Sequence, residues 1–306
     1  MVICMKIATT IAEMYNFSSS ANFASSSAEA ISFYKDSGFR YLDFSFYGAA
    51  YPDSPMLSDG WKDVILESKA VADDLGFRFV QAHGPACEIC GEEGEIGLIA
   101  TIRAIEACGM LGIKNMVMHP GTFPDIKYPD DQLAFFKANE TFFRALIPAM
   151  EKNNVNVLFE NGTKQVRYYP MLAKELNAMI EYMDHPLFGA AWDVGHAHMA
   201  ELDHYTEIME LGKNLKAIHV HDNDSSSDWH DCPFFGTVDY DSLMRGLIES
   251  GYEGTFTLEA DSFFTYRRRG RSGRLAHTPL EVKQAAIKVL YTAAKSILTE
   301  YDLFEE

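Results

Sequence analysis

Short apolar, β-branched runs alternate with longer amphipathic ones from one end of this chain to the other. That alternation restricts the fold more than any other feature. The strand-like runs lie at residues 6–9, 41–45, 77–82, 115–118, 155–160, 188–193, 217–221 and 255–259. Helical patterns occupy 28–35, 61–75, 98–111, 131–152, 172–183, 240–250 and 280–299, with a shorter stretch at 200–211 before the seventh strand. Within 131–152, Leu133, Phe136, Ala138, Phe142, Phe143, Leu146 and Met150 recur near a 3.6-residue period, which gives a helix one buried face. Gly38, Gly76, Gly112 and Gly251 stand just past helical runs, where a left-handed cap redirects the chain into a strand. Eight strands, each followed by a helical segment, predict an α/β fold: one (β/α)8 barrel domain over residues 1–306. An open doubly wound sheet should carry a glycine-rich phosphate loop after an early strand, and neither GxGxxG nor GxxxxGK[ST] occurs.

Composition narrows the function classes. Of 306 residues, 47% are hydrophobic and 13% aromatic, ample for a large core. Lys plus Arg number 26 against 44 Asp plus Glu, a net charge of −18. That balance argues against nucleic acid as a partner, because such binding draws on Lys and Arg at phosphates. No uncharged apolar stretch approaches the ~18 residues needed to span a bilayer. The first ten residues lack a signal-peptide pattern, so a cytoplasmic protein without membrane association is expected. Five cysteines are an odd count and too sparse for a disulfide framework. Cys87-x-x-Cys90 lacks the second pair of a zinc site and the context of a redox motif, and reads as two loop thiols.

In a barrel of this kind the active site forms at the C-terminal ends of the strands. The third strand ends at His83, the fourth at His119-Pro120-Gly121, and the fifth at Glu160-Asn161. The sixth ends at Asp193-Val194-Gly195-His196 and the seventh at His219-Val220-His221-Asp222, followed by Asp228-Trp229-His230. The eighth ends at Glu259. Taken singly, such residues are more often satisfied core histidines, caps or salt-bridge partners. Barrel closure brings all six ends around one axis, and converging carboxylates repel unless a cation lies among them. Mixed imidazole and carboxylate donors suit a divalent transition metal.

This ordered set resembles the xylose isomerase-like TIM barrel superfamily, which includes sugar and sugar-phosphate isomerases and epimerases, inosose dehydratase and endonuclease IV. The resemblance runs over essentially the whole chain. In its epimerase-like members one metal is held by Glu, Asp, His and Glu from strands five to eight, here Glu160, Asp193, His219 and Glu259. His221 lies on the same side of the seventh strand as His219, which is preferred. In endonuclease IV further ligands recruit a trinuclear zinc cluster, and the matching positions are His83, His119, His196, Asp228 and His230. The resemblance therefore implies a divalent cofactor (Mn, Zn, Mg or Co) and one to three ions. The implied activity is isomerisation or epimerisation of a sugar or sugar phosphate by proton transfer through a metal-stabilised enediolate. Glu160 and Glu259 would be the acid/base pair, with the outer residues binding substrate in a one-metal site. The alternatives are an endonuclease IV-like zinc phosphodiesterase, an inosose dehydratase-like lyase and a non-enzymatic metal-binding protein.

Two further features stay open at this level. Arg267, Arg268, Arg269, Arg271 and Arg274 are five of eleven arginines, grouped just after the eighth strand. They read either as a solvated loop, as a phosphate clamp, or as a contact with an acidic neighbouring subunit of a homo-oligomer. The aromatic residues Tyr15, Phe17 and Phe23, and the pair Phe234-Phe235, could roof the site, pack into the core or form a subunit interface.

Overall fold

A computed structural model of the protein describes residues 4–17, 23–123, 125–163, 170–260 and 278–304. Its elements in chain order are β1 (Ile7–Thr10), α1 (Ser27–Ser32), β2 (Tyr41–Ser45), α2 (Trp61–Leu75), β3 (Arg78–His83), α3 (Gly91–Leu111), β4 (Asn115–Met118), α4 (Gln132–Asn153), β5 (Asn156–Glu160), α5 (Ala173–Met183), β6 (Phe188–Asp193), α6 (Val194–Met199), α7 (His204–Leu211), β7 (Leu215–His219), α8 (Tyr240–Glu249), β8 (Phe256–Leu258) and α9 (Leu280–Glu300). The strands are parallel in the order β7-β6-β5-β4-β3-β2-β1-β8. A bridge between Val220 and Leu258 joins the two end strands, with the Val220 N–H donating to the Thr257 carbonyl at 2.8 Å. The barrel of the sequence reading is thereby formed.

Strand residues alternate between two environments. Leu42, Phe44, Phe159 and Trp192 belong to the main core against the helices. Val117, Leu158, Ala191 and Ala217 form a separate small cluster inside the ring. Left-handed caps at Gly76 (φ +78°) and Gly112 (φ +77°) end α2 and α3, and their N–H groups reach back to the last turn. These are positions where a side chain would strain the backbone.

Several boundaries differ from expectation, and three of the differences have a clear physical cause. Helix α3 begins at Gly91, seven residues before the expected 98, because Gly94 and Gly97 serve packing rather than breaking the helix. A Cβ on Gly97 would lie 2.4 Å from the Glu88 carbonyl oxygen, so the helix folds back tightly on the loop before it. The helix expected at 200–211 is α7, which begins only at His204, and a short helix the sequence reading did not expect, α6, precedes it because Asp193 caps a helical turn at the strand end. Strand β7 ends at His219 rather than 221, since its last partner on β6 is that same Asp193. Tyr15 and Phe17 are buried, Tyr15 edge-on to Phe17 and Phe17 against Phe44 and Phe46, so the first loop packs into the core at those residues. Phe234 and Phe235 are exposed. The arginine run at 267–274 lies outside the described residues.

His204, the first residue of α7, is buried, and its Nδ1 accepts the Trp192 indole N–H at 3.3 Å. Burial lowers its pKa to about 4, against a smaller pull from nearby aspartates. The unfolded chain takes up this proton near pH 6.5 and the folded one only near 4, so this contribution to stability falls as pH drops from 6.5 toward 4. The difference corresponds to about 3 kcal/mol at the acid end. In urea melts from pH 4.5 to 7.5, His204→Phe is expected to lose stability less steeply on the acid side than the parent protein. Parallel curves would show that His204 does not titrate in this way.

Candidate metal centre

Because the ring is closed, residues far apart in sequence meet at one mouth. Glu160 ends β5, Asp193 ends β6, His219 ends β7, and Glu259 follows β8. One donor atom from each lies within 4.8 Å of all the others. The first three are fully buried and Glu259 is nearly so. The two glutamates meet at one nitrogen of His219, its Nδ1 lying 2.6 Å from Glu160 Oε1 and 3.0 Å from Glu259 Oε2.

The spacing Asp193-x-x-His196 has a local cause. Asp193 caps α6, its Oδ1 accepting the His196 backbone N–H at 2.6 Å. Asn161 clamps the neighbouring strand end, accepting the Asp193 N–H at 2.6 Å and donating to its carbonyl at 3.0 Å. The carboxylate that begins the helix is therefore held by β5 as well as β6.

Two outer groups flank this set. His83 and His119 approach Glu160 Oε2, at 3.6 and 2.7 Å. His196, His221, Asp228 and His230 form the second group. Asp228 Oδ2 lies 3.2 Å from the Nε2 atoms of both His196 and His230. Three of these histidines share one arrangement. Each donates its Nδ1–H to a backbone carbonyl at 2.8 Å (His83 to Gly84, His196 to Asn161, His230 to Glu259), leaving Nε2 aimed into the site. Such anchoring of one ring nitrogen fixes the orientation of the other as a ligand.

All nine residues singled out from sequence stand at this mouth, and the structure divides them. His219 belongs to the inner group and His221 to the outer, where it stacks on His230 with centroids 4.0 Å apart and bonds Asp193 Oδ1 at 3.1 Å. Sequence reasoning weighed His221 only as a substitute for His219. Gly195 was the available signal: a Cβ there would lie 1.9 Å from the His221 ring, so only glycine leaves that ring its place.

The electrostatics match a cation site. Burial opposes charge on Glu160 and Asp193, yet His219 and His119 hold Glu160, and His196 and His221 hold Asp193, below the ordinary carboxyl range. Burial likewise disfavours imidazolium, but surrounding carboxylates raise His83 to about 9 and His196 to about 10, and push His219 well up. Protons on the histidines thus balance the carboxylates, and a divalent ion can take over that role by displacing them. Asp193 Oδ2 is buried with no hydrogen-bond partner. Three carboxylates and one imidazole suit Mn²⁺, Zn²⁺ or a similar ion, so these residues fit the cofactor expected from sequence.

Among known proteins, a family model described as "Xylose isomerase-like TIM barrel" matches residues 31–278. An uncharacterised protein of Methanocaldococcus jannaschii is 22% identical over 158 residues, 51% of this chain and 54% of that protein. This and another curated relative are matched over only about half their own length, 54% and 50%. A fructoselysine 3-epimerase of Escherichia coli O157:H7 is 42% identical over 50 residues, 16% of this chain and 18% of that protein. The crystal structure of a D-tagatose 3-epimerase-like protein superposes with a TM-score of 0.71 at 15% identity, covering 97% of this chain and 100% of that one. No helix among the described residues is long and apolar enough to cross a membrane.

Proposed function

The chain belongs to the xylose isomerase-like TIM barrel family, and we propose that it is a divalent-metal-dependent epimerase or isomerase of a sugar or sugar phosphate. The observation that carries this reading is the inner group: three carboxylates and one imidazole, with Glu160 and Glu259 both converging on Nδ1 of His219. Similarity to sugar epimerases, in fold and over a short stretch of sequence, supports it.

Glu160, Asp193, His219 and Glu259 would hold the ion. When bound, a divalent ion would polarise the carbonyl and adjacent hydroxyl of the sugar, making the neighbouring C–H acidic. One glutamate takes that proton as a general base, and the other returns a proton to the opposite face of the planar intermediate, which inverts the carbon. Glu160, kept ionised by the histidines beside it, is suited to begin as the base for one epimer. Glu259, nearer the mouth, serves the other. His196 and the remaining outer residues hydrogen-bond substrate oxygens. A panel of ketohexoses and their phosphates incubated with Mn²⁺-loaded protein in D₂O is expected to show deuterium entering one carbon-bound position in at least one sugar. Absence of exchange across the panel would count against proton-transfer chemistry.

A second reading is supported by the two outer groups, which offer His83 and His119 beside Glu160, and His196, Asp228 and His230 together. These are the positions that in endonuclease IV recruit further zinc ions for phosphodiester cleavage. The net charge of −18 weighs against a DNA substrate. One zinc per chain after loading and desalting is the expected result. Two or three ions, together with nicking of abasic DNA, would favour the phosphodiesterase.

A further inference from the structure

Strand periodicity gives the inner metal group a floor. Two residues before each site residue, hence on the same face of its strand, stand Gln81, Val117, Leu158, Ala191, Ala217 and Thr257. Four of these form the apolar cluster inside the barrel, and the other two are neutral. The corresponding position on β2 is Asp43, a carboxylate in an otherwise uncharged layer. It is 1% exposed, and neither of its oxygens has a hydrogen-bond partner. A buried carboxylate without partners is costly, so its presence here calls for a compensating role.

The group it faces is His219. Asp43 Oδ2 lies 4.0 Å from His219 Nε2, itself buried without a hydrogen-bond partner. The opposite edge of the same ring, Nδ1, meets Glu160 and Glu259. The separation exceeds a direct hydrogen bond, and closing it by about 1 Å makes a charge-assisted N–H···O bond.

We propose that Asp43 is a positioning residue that receives the Nε2–H of His219 from below and so directs the Nδ1 lone pair up toward the cation held with Glu160, Asp193 and Glu259. This rests on the metal reading above. A carboxylate behind a ligating imidazole fixes its orientation and raises its basicity, and losing such a partner typically weakens metal binding 10- to 100-fold.

The test separates the pairing from the metal. In metal-free protein, ¹H–¹⁵N spectra should contain a slowly exchanging His219 Nε2–H resonance, assigned by its disappearance in His219→Gln. It should shift in Asp43→Asn, which keeps an acceptor but not the charge, and vanish in Asp43→Ala. Zinc affinity, read by chelator competition, should fall about tenfold in Asp43→Asn and toward a hundredfold in Asp43→Ala. Circular dichroism checks that each variant is folded before its zinc affinity is compared. Persistence of the resonance in Asp43→Ala, or unchanged zinc affinity in both folded variants, would overturn the proposal. An Asp43-dependent resonance in a protein that binds no zinc would uphold the pairing and remove the metal reading instead.

Discussion

Glu259→Gln should lower kcat at least about a thousandfold for whichever sugar the protein turns over, while leaving the barrel folded. In the proposed mechanism the substitution removes a charged ligand and a proton-transfer group together, and neither loss can be supplied by a neighbour. Glu160 is already engaged by His219 and His119. The fold should persist because the backbone of residue 259 keeps its own bonds. Its N–H donates to the Val220 carbonyl, and its carbonyl accepts from His230 Nδ1. The matching circular-dichroism melt is therefore expected to lie at or slightly above that of the parent, since one of three converging carboxylates has been neutralised. Parent-like turnover in Glu259→Gln would dispose of the two-glutamate mechanism.

The second large effect is expected at a residue with no side chain. A methyl group on Gly195 would sit 1.9 to 2.5 Å from three atoms of the His221 ring. That ring is fully buried and stacked on His230, so it cannot rotate aside without breaking the outer group. Overpacking of this kind costs about 3 kcal/mol. Gly195→Ala should therefore melt at least about 5 °C lower. Displacing His221 also removes its 3.1 Å bond to Asp193 Oδ1, so zinc affinity should fall although no inner ligand has changed. Gly60→Ala is the control: the nearest atom to a Cβ there is 3.9 Å away, and an effect within about 0.5 kcal/mol is expected. Equal melting temperatures for Gly195→Ala and Gly60→Ala would mean that His221 has room elsewhere.

Much of this molecule is written in local patterns. The alternation of strand and helix runs, the glycines that end α2 and α3, and the His, Asp or Glu at six successive strand ends are short-range features. Each depends on residues a few positions apart, and a (β/α)8 barrel with a ligand-rich mouth follows from them. Helix α3 shows where local reading fails, since Gly94 and Gly97 weaken the helical signal but are required by contact with residues 88 and 89. The grouping of these candidate ligands is decided only in three dimensions. His219 and His221 are two residues apart on one face, yet one meets Glu160 and Glu259 while the other meets Asp193, because the ladder with β6 stops at Asp193. Asp43 carries no motif and becomes notable only when closure sets it against His219 across the barrel. Sequence period decides which face of a strand a side chain takes. Which faces then confront one another depends on register and closure around the ring, and no single segment contains that information.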